Sequence, residues 1–419
     1  MKILQAKSSW YCWVIAFACL LLSAASVGML SYFNALFLSP VCASLQVKRS
    51  ALVLHSTFST ITTMVTLPFL AKLYQRYPMR PLILIGAIFG GAAHLCYSLA
   101  SSVYTFYLGG VLAGLAACLF GSVPITLLLS NWFIEKRGLV TGIAFAGSGI
   151  ASSILSPVVS GLIQTIGWRG SYRVISAAIL LTALLALLMI RATPESMGLD
   201  PYGSRNNADK SPADTGFTQK ETLKLPAYWF FALSIFLLGF VIMGTQSQLI
   251  AYWQSAGVDP DLAVRMYSIV MLTGVAGKLL IGHLYDHFRS AAASMVCNAV
   301  AICAFIALLL CTQGNWVWIP AVLFGLTTAM QVILPAYLTQ KLFGTRDYVS
   351  NVGLITTCLY LGVSAGTPSG ALFYDLTGSY RPAWILFCLL TALALACLLA
   401  ADRLSVQAFQ RKLNVQRKP

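Results

Sequence analysis

One lysine interrupts a long apolar stretch of the chain, where a charge is costly. The segment GKLLIGHLYDHF, residues 277–288, places Lys278 inside a run that is otherwise suited to crossing a membrane. Inserting a lysine at the centre of a membrane helix costs about 2.5–3.5 kcal/mol, and such residues usually serve a function. The ammonium group can bind an anion such as a carboxylate. Its helical neighbours three and four residues away are all uncharged: Gly274, Val275, Ile281 and Gly282.

The alternative interpretation is a lysine that only snorkels to the cytoplasmic interface. At 1.5 Å per residue, Lys278 lies about 10 Å from that end of the helix, and snorkelling covers only part of this distance. An ion pair with Asp286 is also unfavourable, because eight residues correspond to about 12 Å along the helix axis. We therefore favour an anion-binding role for Lys278.

Histidine is the second residue type in these stretches that could do chemistry. A neutral imidazole at His55 could hydrogen-bond a substrate, and histidine can gain or lose a proton near neutral pH. The alternative is a wetted or hydrogen-bonded histidine near a helix end. For His94 we expect a peripheral position, and for His283 and His287 a role in gating or packing.

These residues need a scaffold, and the composition predicts one that lies in a membrane. Of the 419 residues, 58% are hydrophobic and 9% are charged, whereas soluble domains have about a quarter charged residues. Apolar stretches long enough to cross a bilayer should be helical, because backbone groups in lipid must be satisfied internally. Twelve spans are predicted: residues 10–36, 50–71, 80–100, 104–130, 139–163, 172–191, 227–252, 261–285, 291–311, 317–340, 349–373 and 381–401.

The basic residues predict the orientation of these spans. The net charge is +15, from 27 Lys and Arg against 12 Asp and Glu. With both termini in the cytoplasm, about twenty of the basic residues lie on cytoplasmic segments and about six on outer ones, as the positive-inside rule requires. This distribution disfavours nucleic acid as the partner. We expect an integral membrane protein, in the bacterial inner membrane, that works as a monomer.

Motifs for catalysis, cofactors or metals are not apparent in the sequence. It contains no P-loop, so ATP-driven transport by this chain is not expected. The eleven cysteines include no CxxC pair, and packing is a better explanation for them than metal ligation or disulfides. We predict no enzymatic activity and no cofactor.

The chain divides into two halves that resemble each other. The polar segment 192–225 predicts a cytoplasmic linker between an N-terminal bundle of six helices (residues 1–191) and a C-terminal one (226–402), followed by a basic tail (403–419). LAKLYQRYPMR follows the second span and IGHLYDHFRS the eighth. Arg137 and Arg346 precede the fifth and eleventh spans, about 210 residues apart, which indicates an internal repeat.

The loop sequences resemble those of the major facilitator superfamily. Gly282, Leu284 and Asp286 match its G-x-L-x-D motif, and a degraded copy contains Gln75 in place of the aspartate. The resemblance implies an all-α membrane protein with twelve transmembrane helices in two six-helix bundles and a central cavity. It also implies a gating role for the loop residues Gly282, Asp286, Arg76, Arg80, Arg137 and Arg346.

Within that superfamily the chain resembles the branch of the oxalate–formate exchanger and the monocarboxylate transporters. Three stretches carry this resemblance: GMLSYFNALFLSPVCASLQVKRSAL, NWFIEKRGLVTGIAFAGSGI and PESMGLDPYG. In this branch an arginine that binds the substrate carboxylate stands four residues before the motif glycine, and Lys278 occupies that place. Leu359 replaces a second cation of the exchanger, which favours a monocarboxylate. Gly274 replaces an aspartate of the animal carriers, so their proton mechanism does not transfer intact.

The resemblance also indicates which other polar side chains lie on cavity-lining helices. Gln248 stands four residues before a tyrosine, where relatives often have a histidine or an asparagine. Packing or hydrogen bonding between helices is the alternative role for each of these residues. The further candidate ligands are Gln246, Tyr32, Asn34, Ser122, Gln331 and Tyr360.

Together these features predict a secondary transporter for a small organic anion, most simply a monocarboxylate. It would work by alternating access, as a proton symporter or an anion exchanger, with protons as a candidate second substrate. A rival hypothesis is an exporter of drugs or other amphipathic compounds, since SPVVSG, residues 156–161, faintly resembles exporters of this fold. A membrane sensor that transports nothing is a minor alternative.

Overall fold

The computed structural model describes residues 2–203, 216–310, 314–344 and 346–416. These residues form two compact units, one within Met1–Lys210 and Pro260–Met271, the other within Ser211–Asp259 and Leu272–Pro419. In the first unit a π-helix, Ala24–Tyr32, continues the first α-helix. The α-helices of this unit are α1 (Lys2–Ser23), α2 (Asn34–Leu45), α3 (Arg49–Arg76), α4 (Met79–Ser98), α5 (Val103–Phe120), α6 (Ser122–Trp132) and α7 (Arg137–Met189).

Most of the remaining helices lie in the second unit. One of them, α11, starts in the first unit and continues into the second after Met271. The helices are α8 (Gln219–Lys224), α9 (Pro226–Gln246), α10 (Leu249–Ser255), α11 (Pro260–His287), α12 (Ser290–Leu310), α13 (Trp318–Thr328), α14 (Met330–Phe343), α15 (Tyr348–Thr377) and α16 (Arg381–Gln416).

The helices confirm the predicted all-α membrane fold. Ten described segments are long and apolar enough to cross a membrane. One of them, Gly138–Met189, covers two predicted spans. The two spans are separated within α7 by a kink at Gly167, whose φ of 72° and ψ of 168° glycine adopts without strain. The predicted span 349–373 lies on α15, which has 30 residues.

Glycines allow the helices of each unit to pack closely. In the first unit, a Cβ atom on Gly110 of α5 would collide with the backbone carbonyl of His55 on α3. In the second, Gly362 and Gly366 of α15 approach the carbonyls of Phe236 and Phe240 on α9 in the same way. Small residues at such crossings let membrane helices make close van der Waals contact. This contact matters in lipid because the hydrophobic effect does not drive helices together there.

The two ends of the predicted linker each dock on one unit. In the first unit, Tyr202 forms an isolated β-bridge with Phe133, and the backbone N–H of Tyr202 donates a 2.9 Å hydrogen bond to the carbonyl of Trp132. In the second, Gly216 forms a bridge with Gly344. The two docking positions are about 210 residues apart, matching the sequence repeat.

The end of the linker and the predicted tail are both helical in the second unit. Thr218 caps α8 in a capping box with Glu221. The last long helix, α16, runs without interruption to Gln416, so the described part of the tail extends that helix. Lys412 on this extension donates a 2.8 Å hydrogen bond to the carbonyl of Gly216 and forms a 2.8 Å salt bridge with Glu221.

Candidate functional site

Lys278 lies on the part of α11 that belongs to the second unit. Its side chain is half-buried, whereas Leu279 and Leu280, the next two residues, are 64% and 59% exposed. Ile281, one turn further along, is buried. Since residues three and four apart share a helix face, Lys278 lies on the same face as Gly274 and Ile281 and away from the exposed leucines.

That face of α11 packs closely on α13. A Cβ atom on Gly274 would lie 2.6 Å from the hydroxyl oxygen of Thr328, and one on Gly277 would lie 2.5 Å from the carbonyl oxygen of Leu326. A side chain at either position would separate the two helices. The two glycines therefore keep the backbone next to Lys278 in direct contact with α13.

Each unit contains two long apolar segments in which the helical hydrogen-bond pattern is interrupted, although only Gly121 leaves the helical backbone conformation. In the first unit the interruptions are at Phe33, after the π-helix, and at Gly121, between α5 and α6. In the second they are at Ser247 and Gln248, between α9 and α10, and at Ala329, between α13 and α14. The interruptions correspond at an offset of about 210 residues, as the internal repeat predicts.

The predicted ligands of the first unit border these interruptions. Tyr32 and Asn34 flank Phe33, and Ser122 follows Gly121; all three side chains are half-buried. The hydroxyl of Tyr267, on the part of α11 in the same unit, donates a 3.0 Å hydrogen bond to the backbone carbonyl of Tyr32. That carbonyl ends the π-helix, where the helical hydrogen-bond pattern changes.

Three predicted ligands of the second unit also border interruptions. Gln248 is fully buried, accepts a 3.1 Å hydrogen bond from the hydroxyl of Tyr380 and donates one of 3.2 Å to Ser247. Gln246, at the end of α9, is 3% exposed. Gln331 is half-buried just after Ala329. Tyr360 is half-buried but lies within α15, away from an interruption.

His55 lies in an aromatic cluster in the first unit. Its ring is 5.3 Å from that of Tyr97 and 6.0 Å from that of Phe106, measured between centroids. Its Nδ1 is 2.7 Å from the carbonyl of Leu52, and its Nε2 is 3.3 Å from the hydroxyl of Ser56. Both nitrogens thus have partners within α3. The structure places His55 with other aromatic residues and not at one of the interruptions.

The predicted gating residues lie at helix ends and in short loops. Arg76 and Arg80 are exposed on either side of the connection between α3 and α4. Arg80 donates a 2.8 Å hydrogen bond to the carbonyl of Leu187, near the C-terminal end of α7. A positive charge at this end of a helix is stabilised by the helix dipole. Arg346 is exposed and Gly282 is half-buried. The side chains of Arg137 and Asp286 lie outside the described part of the structure.

Residues 16–367 match the family model of the Major Facilitator Superfamily. This chain belongs to that superfamily. Rat monocarboxylate transporter 4 is 24% identical over 76% of this chain and 68% of its own length. Monocarboxylate transporter 12 of Xenopus laevis is 26% identical over 78% of this chain and 74% of its own length. The expected superfamily is confirmed, and these two relatives carry the name of the monocarboxylate transporters that the sequence resembles.

Solved structures of superfamily members have the same fold. A bacterial homologue of the human lysosomal transporter Spinster, inward-facing and unoccupied, superimposes with a TM-score of 0.65 at 15% identity, covering 96% of this chain and 98% of the other. The nucleoside transporter NupG gives a TM-score of 0.71 at 12% identity, covering 92% and 99%. The family match, the named relatives and the apolar helices show that this chain is an integral membrane protein of the transporter type.

Some features of the candidate site were not predictable from the sequence. Tyr380 holds the amide of Gln248 from 132 positions away, and no local pattern indicates such a pair. The interruption at Gly121 has a signal, since a glycine is followed closely by Pro124. The interruption at Phe33 has none, because no glycine or proline lies directly beside it.

Proposed function

We propose that this transporter carries a small organic anion, most simply a monocarboxylate, by alternating access. The observation that carries the proposal is the placement of Lys278. Its charged side chain lies on the same α11 face as Gly274 and Ile281, away from the exposed leucines. Two relatives from rat and Xenopus laevis are named monocarboxylate transporters. A cation on an inward face of a membrane helix is an attractive site for a carboxylate.

The charge of Lys278 would select for anions, and its geometry would limit how strictly they are oriented. An ammonium group makes charge-assisted hydrogen bonds to carboxylate oxygens. It lacks the planar, bidentate arrangement of an arginine, so one carboxylate is held by a point charge and can rotate. The remainder of the substrate would be bound by hydrogen bonds from polar side chains of both units. The proposed ligands are Gln246, Gln248, Gln331, Tyr360, Tyr32, Asn34 and Ser122.

We further propose the topology that the charge distribution supports. Residues 192–225 and 403–419 lie in the cytoplasm, together with both termini, and the protein works as a monomer in a bacterial inner membrane. Residues 1–191 and 226–402 form the two bundles of six helices. The loop residues Gly282, Asp286, Arg76, Arg80, Arg137 and Arg346 control the cytoplasmic opening.

Uptake into vesicles tests the proposed function. Purified protein in proteoliposomes is given radiolabelled acetate, lactate and pyruvate, with and without an excess of unlabelled carboxylates. Saturable uptake that competing carboxylates inhibit supports anion transport. Vesicles that ignore carboxylates but transport an amphipathic dye would replace the proposal with the exporter hypothesis, and no flux of either kind would favour a sensor.

A further inference from the structure

Two histidines stand one turn apart at the end of α11. His283 and His287 are both exposed, whereas the other two histidines of the chain, His55 and His94, are buried in the first unit. The part of α11 that is long and apolar enough to cross a membrane ends at Tyr285. The pair therefore lies at the end of this apolar segment, where a hydrated ion can reach both rings.

The two rings lie side by side at a distance that suits a shared ligand. Residues four apart in a helix share a face, and the ring centroids of His283 and His287 are 3.9 Å apart, with 33° between the ring planes. With Zn–N bonds of about 2.0–2.1 Å, the tetrahedral angle places two nitrogens about 3.3 Å apart. A small rotation of the side chains would therefore bring one nitrogen of each ring onto the same ion.

One hydrogen bond determines which nitrogen of His287 is available. Its Nδ1 lies 3.0 Å from the backbone carbonyl oxygen of His283. A carbonyl oxygen can only accept, so Nδ1 carries the hydrogen and Nε2 keeps the lone pair. Histidines that bind metals almost always have this arrangement, in which the second ring nitrogen donates to a carbonyl, a carboxylate or water. The ring of His287 is thus already oriented as a metal ligand.

We propose that His283 and His287 form a binding site for one divalent transition-metal ion. Imidazole nitrogens suit Zn²⁺, Ni²⁺ and Cu²⁺, whereas Mg²⁺ and Ca²⁺ prefer oxygen ligands. Among the described residues, no further histidine, cysteine or carboxylate joins the pair in a group of three. Water molecules therefore complete the coordination of the ion.

The position of the pair also favours a cation. His287 is the last residue of α11, and the partial negative charge at the C-terminal end of a helix stabilises a positive charge in the last turn. Tyr285 in this turn shares a 2.8 Å hydrogen bond with Ser294 of α12, and Tyr337 of α14 donates a 2.6 Å bond to its backbone carbonyl. The ion would strengthen a turn on which two other helices pack. An effect on the gating residue Gly282 would rest on the proposed function, whereas metal binding does not.

Titration calorimetry with Ni²⁺ tests the site without a substrate, on purified protein in detergent from which any affinity tag has been removed. One ion should bind per chain, and Mg²⁺ should not bind. His283→Asn and His287→Asn should each weaken Ni²⁺ binding by at least about tenfold, because the second nitrogen of a chelating pair binds at a high effective concentration. Ni²⁺ should raise the melting temperature of the wild-type protein and leave that of both variants unchanged.

A variant with altered spacing is the matched control. His287→Asn combined with Phe288→His keeps 4 histidines in the chain but places the pair five residues apart, on different faces of the helix. It should bind Ni²⁺ as weakly as the single variants, and binding of wild-type strength would contradict the chelate. Unchanged binding in both single variants would place the ion elsewhere and overturn the proposal. Ni²⁺ binding by a protein whose vesicles transport no carboxylate would support the metal site while the proposed function fails.

Discussion

The hydroxyl of Tyr380 donates a 3.1 Å hydrogen bond to the side-chain carbonyl oxygen of Gln248. This bond joins the residue before α16 to the interruption between α9 and α10. Gln248 is fully buried, and its amide nitrogen donates to Ser247 over 3.2 Å. The glutamine side chain is therefore held in one orientation by its two partners.

Replacing Tyr380 by phenylalanine should lower the stability of the second unit. Tyr380→Phe keeps the ring but leaves the carbonyl oxygen of Gln248 without this donor, which costs about 1–3 kcal/mol when the acceptor is buried. Thermal unfolding of the purified protein measures the loss. Gln248→Leu combined with Tyr380→Phe removes both partners and should recover part of it. An unchanged melting temperature in Tyr380→Phe would show that the bond contributes nothing.

The contact between α11 and α13 predicts that alanine is destabilising at one glycine of α11 and tolerated at another. In Gly277→Ala the new Cβ would lie 2.5 Å from the carbonyl oxygen of Leu326, and such overpacking costs about 1–3 kcal/mol. Gly282→Ala is the matched control on the same helix, since no atom lies within 4 Å of its Cβ position. Alanine there should be neutral or stabilising by up to about 1 kcal/mol, from its helix propensity.

Unfolding in one detergent compares these two variants directly. We expect a lower melting temperature for Gly277→Ala and an equal or higher one for Gly282→Ala. Equal destabilisation by both would contradict the close approach of α11 to α13.

The salt bridge between Glu221 and Lys412 predicts an acid-sensitive attachment of the linker to α16. The hydrogen bond from Lys412, with help from the backbone of Thr218, lowers the pKa of Glu221 below its ordinary value. A carboxyl whose pKa is lowered on folding adds stability above its ordinary pKa and loses it as the pH falls through the lowered value. Because the pair is exposed, the contribution should not exceed about 1 kcal/mol.

A double-mutant cycle over pH checks this attachment. Glu221→Gln and Lys412→Gln should each lower the melting temperature at pH 7, and the double variant should lose less than the sum of the two single losses. As the pH falls through the lowered pKa of Glu221, the melting temperatures of the wild-type protein and of Glu221→Gln should converge. A coupling energy of zero at pH 7 would mean that the pair contributes nothing to docking of the linker.

Reporter fusions test the proposed topology. Reporters joined after residue 210 and after residue 416 should give cytoplasmic signals, because the bias of basic residues places both segments inside. A reporter in the loop before α11, at Gly257, should give the opposite signal. A periplasmic signal at either of the first two sites would overturn the twelve-span arrangement.

The sequence predicts the features of the fold that depend on composition and periodicity. It does not predict the features that depend on contacts between residues far apart in the chain. Hydropathy located the spans, and the repeat between Arg137 and Arg346 anticipated the matching positions of Phe133 and Gly344 at which the linker docks. The π-helix and the interruption at Phe33 have no local signal, because such geometry depends on packing from other helices. Hydrogen bonds such as that between Tyr380 and Gln248 connect residues whose proximity only the fold establishes.

The site residues show the same division. Lys278 was recognisable because one charge in an apolar helix is conspicuous in any sequence. The position of His94 was not, because a single histidine in an apolar stretch carries no signal of its depth in the fold. The ring of His94 is fully buried beside Tyr97 and Tyr172, and is not peripheral as the sequence had suggested.

Carboxylate binding by Lys278 variants tests the central claim most directly. The dissociation constant of the carboxylate that the vesicles transport is measured by calorimetry for the wild-type protein, Lys278→Gln and Lys278→Arg, after thermal unfolding has shown that each is folded. Loss of a charge-assisted hydrogen bond, worth about 1.5–3 kcal/mol, predicts roughly tenfold to hundredfold weaker binding by Lys278→Gln. Lys278→Arg should retain binding, with altered selectivity. A folded Lys278→Gln protein that binds and transports the carboxylate normally would contradict the account.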